Sequence, residues 1–98
     1  MAPRLKAKRA QWTRVRVTRH AERRWAQRFA PHHSESLANA LGNAHFWTML
    51  STERGTWYVY RYDDVAFLFS WREGGGRTAA LDSVWPTAWI ERKLYMAE

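Results

Sequence analysis

From Thr13 the chain alternates, with Thr13, Val15 and Val17 on one side and Arg14 and Arg16 on the other. This period of two predicts a half-buried strand whose outer face is lined by arginine. Thr18 then offers an N-cap, and Ala21, Trp25 and Phe29 recur every four residues, which predicts a helix of about three turns carrying one apolar stripe. Arg23, Arg24, Gln27 and Arg28 fall largely off that stripe, and Pro31 ends the helix by pushing the residue before it out of the α region. Ser34 or Ser36 can cap a second helix through Leu37, Leu41 and Ala44. Gly42 weakens its later half by about 1 kcal/mol relative to alanine, so this helix stops there or runs on towards Trp47.

The next pattern is again extended. Trp57 to Tyr62 is aromatic and β-branched, and Val65 to Arg72 sets Val65, Phe67, Phe69 and Trp71 against Ala66, Leu68, Ser70 and Arg72. Asp63-Asp64 between them has the two-residue length of a tight hairpin. Gly74-Gly75-Gly76 makes a further turn into a strand from about Thr78 to Val84, which Pro86 terminates, and Thr87 to Met96 can close the chain with a short helix.

The predicted order is β-α-α-β-β-β-α. It describes an α+β domain over residues 11–98, with a helical hairpin packed on a small antiparallel sheet. Residues 1–10 carry one large apolar residue, Leu5, among four bases, and read as a flexible basic arm.

Composition sharpens this picture at two points. The chain has no cysteine, which excludes disulfides, thiolate nucleophiles and thiolate metal ligands. No apolar run reaches bilayer length and no apolar stretch follows the basic start, so the expectation is a soluble cytoplasmic protein without membrane contact. Charge matters more. The net charge of +7 is concentrated in residues 1–28, which hold ten Lys or Arg against Glu22 alone, while the remainder has six bases and eight acids. Such asymmetry suits a polyanionic partner, because each neutralised phosphate releases condensed counterions.

Candidate chemistry follows from where the cations fall. Lys6, Lys8 and Arg9 on the arm, Arg14 and Arg16 on the first strand, and Arg19, Arg23, Arg24 and Arg28 on the first helix form a candidate nucleic-acid-binding surface. His20 sits in the first helical turn with Arg23 and Arg24 three and four residues on, where it can act as a general base, stack on a base, or simply bond a backbone group. Arg61 and Arg72 on adjacent strands form a phosphate clamp, or else are exposed residues paired with Asp63, Asp64 or Glu73. Of seven tryptophans, Trp25, Trp57 and Trp71 belong on core stripes. Trp12, Trp85 and Trp89 stand at element ends, as an interface or stacking platform, or as a cluster closing the core. His32-His33, being adjacent, is a poor metal geometry with no H-x-x-x-H or carboxylate cluster to accompany it, and neither a metal nor another cofactor is expected. The glycine run lacks the Gly-Lys-Ser/Thr of a phosphate loop.

The element order resembles the RelE/ParE toxin superfamily across roughly residues 11–96. Locally, Val17-Thr18-Arg19-His20-Ala21-Glu22-Arg23-Arg24 with Arg28-Phe29 is similar to the opening of small BrnT-like phage or prophage proteins. The RelE-like resemblance implies an RNA-cleaving surface on the concave side of the sheet, using Lys and Arg of central strands with a Tyr or His. By position these would be Arg61, Arg72 and Arg77, with Tyr58, Tyr60, Tyr62 and Tyr95 as partners, and His20, Arg61 and Arg72 nearest the chemistry. The chain departs from that pattern in having no lysine between Lys8 and Lys93 and no histidine after His45. ParE-like members act instead by binding a protein.

The functional expectation is therefore a small nucleic-acid-associated protein of toxin type, acting on RNA more than DNA or on the ribosome, with a protein antidote as a further partner. If it is an enzyme, it is a metal-independent endoribonuclease. The alternatives are a phage-encoded regulator that binds a host protein, and a DNA- or RNA-binding protein without catalysis.

Overall fold

The computed structural model describes residues 14–71 and 78–96. The predicted arm, Trp12, Arg72, Arg77 and the glycine run lie outside the described residues. The elements are β1 (Arg14–Val17), α1 (Arg19–Arg28), α2 (Leu37–Gly42), β2 (His45–Thr52), β3 (Gly55–Tyr62), β4 (Val65–Ser70), β5 (Thr78–Pro86) and α3 (Thr87–Met96). Among the described residues, no helix is long and apolar enough to cross a membrane.

The capping chemistry read from the sequence governs both early helices. Thr18 is extended and its hydroxyl accepts from the Ala21 N–H, while Ser36 does the same for Asn39, so each satisfies one of the amides a helix start leaves open. The second helix stops at Gly42. The stretch expected to prolong it is instead β2, so the architecture has one more strand than the sequence pattern predicted. The extended form wins here because β3 lies alongside to pair with it, from His45 opposite Arg61 to Thr52 opposite Gly55. Gly55, with φ of 132°, provides the backbone that the tight Glu53-Arg54 turn requires. Asp63, at φ 54°, does the corresponding work in the predicted Asp63-Asp64 hairpin.

The sheet order is β1-β5-β4-β3-β2, a four-strand antiparallel meander to which β1 is added in parallel against β5. On one face α1 and α2 cover Tyr60, Phe67, Phe69, Leu81 and Val84, all fully buried, together with the Trp25 and Phe29 stripe. On the other face α3 inserts Ile90 against Val59, Ala66 and Leu68. Central β4 is buried on both faces from Val65 to Phe69, and each large apolar side chain so buried contributes about 1.5–3 kcal/mol.

Two features position the site. First, β1 pairs only as far as Leu81, so the rest of β5 would present an open edge, and α1 lies against it. The Thr18 N–H and hydroxyl both bond the Leu81 carbonyl, and Arg28 bonds the Val84 carbonyl. Second, a bulge in β5 sets Leu68 opposite Ser83 but Phe69 opposite Leu81, leaving Asp82 as the extra residue. Leu81 and Val84 then both face the helical hairpin, while Asp82 and Ser83 line the opposite side.

Candidate nucleic-acid interface

Helix α3 packs on β4 and β5 and covers only part of its face of the sheet. The uncovered part forms two adjoining depressions. One, of about 540 Å³, has Leu50, Trp57, Leu68 and Trp85 as its apolar surface and is rimmed by His20, Arg54, Asp82 and Lys93. The other, of about 630 Å³, runs towards β1 and is lined by Arg16, Arg54, Trp57, Trp71 and Asp82 among others. Arg54, Trp57 and Asp82 belong to both, so the two make one trough across the open sheet.

Its basic side chains come from four separate segments: Arg16 from β1, His20 from the first turn of α1, Arg54 from the β2–β3 turn and Lys93 from α3. Two carboxylates oppose them, Glu53 and Asp82. Asp82 is anchored by the Trp57 indole, which donates to its Oδ2 at 3.2 Å and thereby fixes the ring across the floor. The wide, half-apolar and cationic trough has the ingredients of a single-strand nucleic-acid surface, namely aromatic faces for bases and dispersed charge for phosphates.

The structure sorts the sequence-derived residues. Arg16 and His20 enter the trough, and Arg14 lies on the same outward face of β1. Arg19 and Arg23 are exposed on α1 and form no ion pair among the described residues. Arg24 bonds its own helix neighbour Gln27. Arg28 is turned inward: its Nη1 donates to the Val84 carbonyl at 2.9 Å, and its guanidinium lies 4.7 Å from the Trp89 ring centre. Burial and the neighbouring Arg24 both lower its pKa. The uniform arginine face expected of α1 is thus split between solvent and packing.

Arg61 does not join His20. It stacks over Trp47 at 4.7 Å, donates from Nε to the Asp63 carbonyl and pairs with Glu91 at 3.7 Å, a surface pairing with a different acid from the Asp63, Asp64 or Glu73 expected. Its proposed partner Arg72 lies outside the described residues. Two of the tyrosines implied as partners, Tyr60 and Tyr62, are also placed elsewhere. Tyr60 is in the core under the helical hairpin, where burial pushes its phenol up to about 12. Tyr62 donates to Glu35 Oε2 at 2.9 Å, and this bond is the main cause of its raised pKa. Trp85 and Trp89 form an edge-to-face pair at 5.8 Å, Trp85 half-buried against the second core and Trp89 exposed.

Sequence reasoning missed Arg54, Lys93, Trp57 as a trough residue, and Asp82. Arg54 follows from a turn that could be recognised only once β2 was read as a strand. No period of two marks β2 in the sequence, because the irregularity between Phe46 and Thr48 puts Phe46 on the face of the first core and Leu50 on that of the second. Asp82 depends on a bulge, which has no local signature here.

One grouping differs from the expectation for metal. The fold brings Asp63 and Asp64 to His33, with ligand atoms within 4.8 Å of one another, so these three residues could hold a cation. As it stands His33 bonds Asp64 Oδ1 at 3.1 Å and lies 3.5 Å from Glu35, clasping the interhelical loop to the β3–β4 hairpin.

No protein-family model, curated protein or solved structure matches the chain.

Proposed function

We propose that the protein binds single-stranded RNA along the open trough of its sheet. One observation carries the reading: Arg16 and His20 near the start of the chain, Arg54 in its middle and Lys93 near its end converge on a single aromatic-floored trough. Phosphates lie against these side chains, and Trp57 and Trp85 offer apolar surface to bases. Exposed Arg14, Arg19 and Arg23 extend the positive field from β1 to α1.

Fluorescence anisotropy with a labelled single-stranded RNA tests this. Arg54→Ala is expected to weaken binding and to reduce the slope of log affinity against log salt by about 0.7. Arg61→Ala, held by Glu91 outside the trough, is expected to bind as the wild type does. Absence of RNA binding by the wild type at low salt would overturn the proposal.

A second reading, metal-independent RNA cleavage, is favoured by His20 sharing its depression with Lys93 and Asp82. An imidazole can take the 2′-hydroxyl proton while a lysine offsets phosphate charge. Intact RNA after prolonged incubation with protein in chelator rules it out.

A further inference from the structure

A smaller depression of about 300 Å³ lies on α3, lined by Trp85, Trp89, Arg92 and Lys93. Two of these residues, Trp85 and Lys93, also line the trough, so the depression continues the trough past the side of the helix. Trp89 keeps 41% of its surface exposed, unusual for so large an apolar side chain. It is also held in place. Trp85 meets it edge to face at 5.8 Å, and Arg28 lies over the ring at 4.7 Å while anchored to the Val84 carbonyl. A rigid, exposed indole loses little conformational freedom when a flat ligand stacks on it. The surrounding charge selects the ligand. Arg28, Arg92 and Lys93 ring the pair, with Lys93 Nζ 5.9 Å from the Trp85 ring centre, while Glu91 on the same helix pairs with Arg61.

We infer that Trp89 is a stacking site for one unpaired nucleobase of an RNA strand leaving the trough, with its flanking phosphates on Lys93 and Arg92. The inference rests on the RNA-binding reading above and adds to it an exit path and a base-dependent contact. A polyanion lacking bases would gain from the trough cations but not from this ring.

The test pairs protein variants with RNA probes in which one abasic nucleotide is moved along a 12-nucleotide strand. Trp89→Ala is expected to weaken binding about 5- to 100-fold, and Trp89→Phe, which keeps a ring, to recover most of it. For the wild type, an abasic nucleotide at one position should cost about the same factor. For Trp89→Ala that position should cost nothing further, because the two changes remove the same contact. Circular dichroism melts confirm that each variant is folded. If the wild type binds RNA and loses affinity on Arg54→Ala, yet Trp89→Ala binds normally or the abasic penalties simply add, this inference falls while the trough reading stands. If the wild type binds no RNA, both fall.

Discussion

The guanidinium of Arg28 on α1 closes the open edge of β5 by donating to the Val84 carbonyl at 2.9 Å. The two residues are 56 positions apart, and between them they join the helical hairpin to the strand that carries Trp85, whose ring meets that of Trp89 on α3. An arginine that looks from sequence like one more phosphate contact therefore acts as a tie in the fold.

Replacing it should be felt as stability. A hydrogen bond from a charged donor combined with cation–π contact at a half-exposed site predicts a loss of about 1–2 kcal/mol for Arg28→Ala. For a domain of this size that is a fall in Tm of about 4–15 °C. Arg23→Ala, exposed on the same helix, should leave Tm unchanged within about 1 °C. Differential scanning calorimetry of both variants decides the matter, and equal small shifts would show that Arg28 holds nothing together.

Asp82 sets a different expectation, because its negative charge stands among the trough cations while its carboxylate accepts from Trp57. Asp82→Asn keeps an oxygen acceptor for the indole and removes the charge. RNA affinity should rise about two- to fivefold at about 0.1 M salt, with the gain shrinking as salt screens the field. A titration series showing unchanged or weaker binding would place the RNA elsewhere.

Tyr60 predicts the alkaline limit of the fold. Its phenol is fully buried, and burial raises its pKa to about 12 from the usual value near 10. The raised value means that the folded state favours the neutral form. Its contribution is complete below about pH 10 and is lost as pH climbs towards about 12, amounting to about 2–3 kcal/mol over that interval. Tyr62, whose pKa is raised chiefly by its bond to Glu35, acts in the same direction. In urea titrations from pH 9 to 12, Tyr60→Phe should therefore decline less steeply than the wild type. Parallel curves would mean that the buried phenol is not the group that titrates.

Much of the fold was legible because it is written in local periodicity. The four-residue spacing of Ala21, Trp25 and Phe29, the Thr18 cap, the aromatic and β-branched run of β3 and the alternation through β4 all act over a few residues and required no partner to be recognised, whereas local pattern allowed Ser34 as well as Ser36 and a helix running past Gly42. β2 was not read, since its mixed apolar run suits a helix end as well as a strand until β3 is placed beside it. The same limit hid half of the trough: Arg54 hangs on the turn that β2 creates.

The sequence by itself determined the element types other than β2, the basic first strand and helix, and the apolar stripe of α1, because backbone propensity and side-chain pattern are local properties. Only the tertiary structure decided which basic side chains come together. Arg16, His20, Arg54 and Lys93 meet because β1 joins β5 in parallel, α1 seals the edge left open, and α3 covers only part of its face. It also turned Arg28 inward and tied Arg61 to Glu91. Those outcomes depend on strand order and on a bulge at Asp82, long-range pairings whose free energy exists only once the chain is folded.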